Sequence, residues 1–288
     1  MDIRAIGLGL AFALMWSSAF TSAHIIVAQA PPLLMLALRF VISGAMAVGI
    51  ALALGQRVRL NRAQWRATIV FGICQNALYL GLFFLAMQRI DASLAAIMAS
   101  TMPLMVAVAA WLVLRDPPPP LGILGLVAGF AGVALIMSDR LSGGADLIGL
   151  GYGVAGVLAL SLATLSVRGA SSGGNLMMIV GLQMLIGAAV LLVAGLALER
   201  WEVTWTWELG IAFGYTVLVP GLLATWVWFV LVDRIGAIKG ATFHFLNPFF
   251  GVAIAAVVLG ERLGLRDVIG VAIIAAGILA VQLSRARN

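Results

Sequence analysis

Residues 89–103 read RIDASLAAIMASTMP, and residues 234–248 read RIGAIKGATFHFLNP. Arg89-Ile90 falls on Arg234-Ile235, Ala92 and Ala96 on Ala237 and Ala241, and Pro103 on Pro248, each 145 positions on (234 − 89 = 145). The same step carries Gln75–Ser138 onto Pro220–Leu283 without a gap. It pairs Phe84 with Phe229, Val113-Leu114 with Val258-Leu259, Asp116 with Glu261, and Gly125 and Gly132 with Gly270 and Gly277. Alanine and leucine coincidences are cheap in an apolar chain; in-register prolines, glycines, acids and Arg-Ile pairs are not. The chain is a duplicated unit, and its halves are read as residues 1–140 and 141–288.

Composition names the solvent. Of 288 residues 63% are hydrophobic and 10% charged, with a mean hydropathy of +1.14. A soluble domain carries roughly 25% charged residues, so this chain must use lipid. Its pI near 10.7 therefore does not point to nucleic acid; basic residues in a membrane protein report orientation. Cys74 is the single cysteine, which excludes an intrachain disulfide.

Ten apolar segments can cross about 30 Å of hydrocarbon at 1.5 Å per residue. They are 5–27, 33–54, a third ending near 88, 91–114, 121–138, 147–167, 176–198, an eighth ending near 232, 237–259 and 268–283. Arg4 before the first segment and Ala28-Gln29-Ala30 after it imitate a cleaved leader. Ile6-Gly7-Leu8-Gly9 recurs as Ile148-Gly149-Leu150-Gly151, however, so this helix belongs to the repeat and is retained. Pro117–Pro120 makes a rigid turn, Asp139–Asp146 is the joint between halves, and 169–175 is a flexible loop. Trp201, Trp205 and Trp207 suit an interfacial aromatic belt.

Five spans per half is an odd number, so the second copy enters the membrane inverted, an architecture of transporters. With both termini cytoplasmic, the inner side receives Arg4, Arg57, Arg59, Arg62, Arg66, Arg115, Arg168, Arg234, Lys239, Arg285 and Arg287. The outer side receives Arg89, Arg140, Arg200, Arg262 and Arg266. Eleven against five satisfies the positive-inside rule.

All eleven carboxylates fall in loops or at helix ends, so a proton-coupled mechanism through an intramembrane acid has no obvious residue. The same pattern argues against an embedded aspartyl protease, and His24 or His244 near serines is weak support for a hydrolase. Pro103, Pro220 and Pro248 interrupt spans and release the carbonyls of Ala99, Thr216 and His244. Pro103 and Pro248, as symmetry mates near mid-span, are read as hinges beside a central site, with Met102 adjoining. Polar stripes supply the candidate lining: Ser17, Thr21 and His24 on the first helix, and Gln75, Asn76, Tyr79 and Phe83 on the third. Tyr215 and Trp226 on the eighth, His244 and Asn247 on the ninth, and Trp16 on the first complete it. Interhelical packing is the plain alternative for any single Ser or Thr. Arg39, about 10 Å below the outer surface at 1.5 Å per residue, is read as a structural anchor partnered by Asp91 or helix-end carbonyls, with substrate-carboxylate binding as the lesser reading.

Pro31-Pro32-Leu-Leu-Met-Leu-Ala-Leu-Arg39-Phe40, Trp16, and the copies Pro103…Arg115-Asp116 and Pro248…Gly260-Glu261 together resemble the EamA-type drug/metabolite transporters. Arg115-Asp116 departs from the usual Gly-Glu. The resemblance covers essentially the whole chain and implies ten helices in two inverted halves, cytoplasmic termini and a central cavity with helices 5 and 10 to the side. Among members the chain looks most like the bacterial exporters of aromatic amino acids. It therefore implies an inner-membrane exporter, monomeric or weakly dimeric, without cofactor or metal. Its substrates would be aromatic or other apolar amino acids, bound by Trp16, Ser17, Thr21, Gln75, Asn76, Tyr79, Phe83, Met102, Trp226, His244 and Asn247. Export of hydrophobic drugs or other metabolites is the alternative within transport; a membrane enzyme is the alternative outside it.

Overall fold

The structure, a computed structural model, describes residues 3–115, 117–142, 144, 146–166, 175–235, 240 and 242–286. Asp116, the expected loop at 169–174, the expected start of the ninth helix at 237, and Ala241 lie outside these residues. Among the described residues, ten helices long and apolar enough to span a membrane follow one another. They are α1 (Ile3–Val27), α2 (Pro32–Ala53), α3 (Arg62–Ala86), α4 (Ala92–Leu114), α5 (Pro120–Ser142), α6 (Leu147–Ser166), α7 (Leu176–Leu198), α8 (Trp207–Ile235), α9 (Thr242–Leu259) and α10 (Leu265–Ala286). An even count puts the start of α1 and the end of α10 on one face, called the terminal face below. Five spans per half start α6 from the opposite face.

Four helices are irregular, and the irregularities keep the repeat step. The middle of α3, Gly72–Tyr79, is π-helical, and so is the middle of α8, Val217–Leu223, 145 positions on (217 − 72 = 145). Pro220 accounts for the wide turn in α8, since it has no N–H to give the ladder. In α3 Gln75 stands at that position. The α4 helix breaks at Thr101, between Ala92–Ser100 and Met102–Leu114. In α9 a 3-10 turn, Thr242–Leu246, leads into Asn247–Leu259. Pro103 and Pro248 are each the second residue after the break, where a missing N–H costs no hydrogen bond. Local hydroxyls occupy carbonyls at the α4 break: Ser100 Oγ donates to Ala96 O (2.7 Å) and Thr101 Oγ1 to Met98 O (2.6 Å).

Two antiparallel pairs join the halves. Where α5 crosses α10, a Cβ on Gly125 would stand 2.7 Å from Gly277 O, and one on Gly132 would stand 2.8 Å from Gly270 O. Only glycine permits that backbone approach, a device common in membrane bundles. The symmetry mates thus meet crosswise, Gly125 against the mate of Gly132. The second pair, α2 with α7, also crosses at glycines, a Cβ on Gly181 falling 3.0 Å from Gly44 O.

Each helix of that second pair is capped by a residue of the loop that follows its partner. The first N–H groups of a helix have no acceptor inside it. Those of Leu33 and Leu34 donate to the Glu199 carboxylate at 2.9 and 3.0 Å, and that of Met178 donates to Gln56 Oε1 at 3.0 Å. Glu261, after α9, accepts from the N–H groups of Ala92 and Ser93 at 2.8 and 3.0 Å and so caps α4. A carboxylate at a helix N-terminus also meets the positive end of the macrodipole.

Candidate functional site

Between the halves lies a cavity of about 480 Å³. That is inside the roughly 300–1,000 Å³ range of small-molecule sites. One aromatic wall comes from α1, where Phe12, Trp16 and Phe20 follow one another at four-residue spacing. Phe12 packs at a tilt against Trp228 (centroids 4.8 Å apart) and meets the His244 ring edge-on at 5.2 Å; Trp228 and His244 are 5.3 Å apart. The π-helical part of α3 supplies Gln75, Asn76 and Tyr79, and the α4 break supplies Ser100, Met102 and Pro103. Pro220, Gly221, Thr225 and Trp228 come from α8, and His244 and Asn247 from the α9 break. All four irregular helices therefore turn their interruptions toward one space, where unpaired backbone is tolerated. Among the described residues, α5 and α10 add nothing to the lining, as the family resemblance implied.

The cavity runs from Arg39 and Tyr79 at its deep end to Gln64, near the start of α3, and Leu176, the first residue of α7. It therefore reaches toward the terminal face. The opposite face is tied across by the Glu199 and Glu261 caps, by Thr204 N–H on Gln29 O (2.8 Å), by the Thr206 hydroxyl on the Gln29 side-chain carbonyl, and by Arg89–Asp146 (3.0 Å).

Seven of the eleven anticipated lining residues stand in the wall: Trp16, Gln75, Asn76, Tyr79, Met102, His244 and Asn247. His244 Nδ1 and Asn247 Nδ2 are 3.1 Å apart. Four do not line it. Ser17 is buried and donates to Asn247 O at 3.2 Å, tethering α1 to the α9 break. Thr21 is buried on the same packed side of α1. Phe83 is fully enclosed, its ring in the notch left by Gly156 and edge-on to Tyr79 and Phe20 at 5.0 and 5.9 Å. Trp226 and Tyr215 are 54% and 37% exposed: they share a face of α8, but it faces outward. Trp228, two residues on, takes the place expected of Trp226. Of the two proline mates, Pro103 lines the cavity while Pro248 is buried behind it. Next to them on α1, Ser18 and Ser22 are used up against Tyr215 (2.7 Å) and Thr216 (2.8 Å), as interhelical packing predicts.

Arg39 is the residue whose sequence reading changes most. It is 6% exposed and lines the cavity, and among the described residues none is hydrogen-bonded or ion-paired to it, Asp91 included. Its guanidinium lies 5.2 Å from the Phe40 ring centre, and its Nε is buried without a partner. Asn76 Nδ2 and Asn247 Oδ1 are likewise buried and unpartnered.

The EamA-like transporter family matches the chain twice, over residues 3–138 and 147–283. The transporter YvbV of Bacillus subtilis is 27% identical over 270 residues, covering 93% of this chain and 88% of that protein. The inner membrane transporter YedA of Escherichia coli K12 is 26% identical over 286 residues, covering 96% and 90%. Protein PecM of Dickeya dadantii is 24% identical over 247 residues, covering 83% and 80%. A crystal structure with 21% identity superposes with a TM-score of 0.71, covering 100% of this chain and 99% of that one, and shares the fold.

Proposed function

We propose, from the premise that the chain belongs to the EamA-like transporter family, that it exports small apolar metabolites, foremost aromatic and other apolar amino acids, by alternating access. Membership makes it a multi-pass membrane transporter and displaces the membrane-enzyme alternative. The inner-membrane setting rests on the printed name of YedA, and the cytoplasmic placing of the terminal face on the charge bias. One observation carries the substrate reading: a cavity of about 480 Å³, sized for one small solute and walled by Phe12, Trp16, Phe20, Tyr79 and Trp228 with neutral amides among them. Aromatic side chains stack on such a wall, and the amides hold the polar end. Pro103 and Pro248 let α4 and α9 bend as the cavity changes sides.

The test is counterflow of labelled phenylalanine and threonine into proteoliposomes. Stacking adds about 0.5–1.5 kcal/mol beyond area burial. Trp16→Ala, Tyr79→Ala or Trp228→Ala should therefore weaken phenylalanine roughly two- to tenfold more than threonine. Trp226→Ala, on the outer face, should leave the ratio unchanged. Equal losses for both solutes would make the wall a packing feature, and flux of apolar drugs without amino-acid flux would favour the drug-export alternative.

A further inference from the structure

We infer that Arg39 is the anion-binding group of the cavity, and that the transported solute presents a carboxylate to it. The inference rests on the reading of the cavity as a solute site and names the chemistry of one end of that solute. Arg39 is the seventh residue past Pro32, which opens α2, hence about 10 Å below the opposite face at 1.5 Å per residue. A guanidinium does not give up its proton as a lysine can, so it stays charged at this depth. Buried charges are paired, hydrogen-bonded or facing a water-filled or functional space. Here the first two are missing among the described residues: no acid lines the cavity, and Nε has no acceptor. Phe40 shields one face of the ion without supplying an oxygen. The third condition remains, and Arg39 lines the cavity.

The other unpartnered atoms of the wall sharpen the complement. Asn76 Nδ2, a donor on α3, can join Arg39 Nε in holding a carboxylate. Asn247 Oδ1, an acceptor on α9, is left for an ammonium or hydroxyl. Two donors and one acceptor around an aromatic wall complement an apolar α-amino acid, and they disfavour a hydrophobic cation.

Purified protein in nanodiscs tests this through the fluorescence of the cavity tryptophans, Trp16 and Trp228. The probes are phenylalanine, leucine and threonine, each beside its own amide, which keeps the side chain and amine and lacks the negative charge. The unmodified protein should bind each acid at least about tenfold more tightly than its amide, as expected for a hydrogen bond to a charged group. Arg39→Gln should abolish that preference, and Arg39→Lys should keep part of it. Acid and amide bound alike by the unmodified protein would overturn the role of Arg39 while leaving the solute cavity intact. That comparison needs no variant, so it decides even where Arg39→Gln fails to fold. A preference that survives in Arg39→Gln would also overturn it. If neither acids nor amides bind, and ethidium or phenethylamine does, this inference falls together with the amino-acid reading.

Discussion

Asp146 holds the entry to α6 in two ways: it accepts the Gly149 N–H at 2.8 Å and pairs with Arg89 at 3.0 Å. The Gly149 amide, with the Arg89 guanidinium behind it, keeps the carboxyl below the usual carboxylate range. A depressed group contributes stability that is fully present above its ordinary pKa and is lost as pH falls through the folded value. The melting temperature of the native protein should therefore exceed that of Asp146→Asn at neutral pH, by a small margin because the pair is exposed. The gap should close as pH drops below about 4; a gap that stays constant to lower pH would mean the carboxylate is not what stabilises this turn. The cavity teaches a different lesson about single residues. Gln75, Asn76, His244 and Asn247 could be found from sequence because a polar group within a span is costly unless it faces protein or a cavity. Trp226 could not be told from Trp228, because an aromatic ring is as comfortable in lipid as in a protein wall and hydrophobicity no longer separates inside from outside. Arg39 was visible, but its lack of a partner is a fact of three dimensions.

Among the elements, the breaks in α4 and α9 were legible because proline fixes φ and removes a donor wherever it stands. The wide turn of α8 was half legible through Pro220. That of α3 was not, since nothing in Gly72–Tyr79 marks a π turn. The match of these shapes at one constant step says that the cavity is assembled from a doubled set of defects. If Pro103 and Pro248 let those defects flex, the double substitution Pro103→Ala, Pro248→Ala should stiffen both helices, because alanine lets the ladder close across each break by donating to the carbonyl four residues back, which proline cannot do. Counterflow should fall severalfold while yield and melting temperature hold or rise, and undiminished flux would remove the hinge role. The caps on α2, α4 and α7 were hidden for another reason. Glu199, Gln56 and Glu261 lie in loops, and each caps a helix of the other half.

At the scale of the molecule, duplication and hydropathy were enough to set ten spans, and the odd count per half enough to invert the second copy. Sidedness remains a matter of charge. With Cys74 replaced by Ser, Arg59→Cys should react with an impermeant maleimide only from the cytoplasm, and Glu202→Cys only from outside. Both positions are exposed. Labelling of both from one side would break the inverted arrangement. The crossing of α5 and α10 bears on how such a molecule moves. Backbone sits on backbone there, with Gly277 so close that a Cβ would fall 2.6 Å from both Gly125 O and Gly129 N. At Gly277 there is no side chain to swing aside, so the two helices cannot slide there by exchanging rotamers. They form a doorpost. The α4 break is hung directly on it: Leu104, three residues past the break, lies so close to Gly129 of α5 that a Cβ there would fall 2.4 Å from its Cδ1.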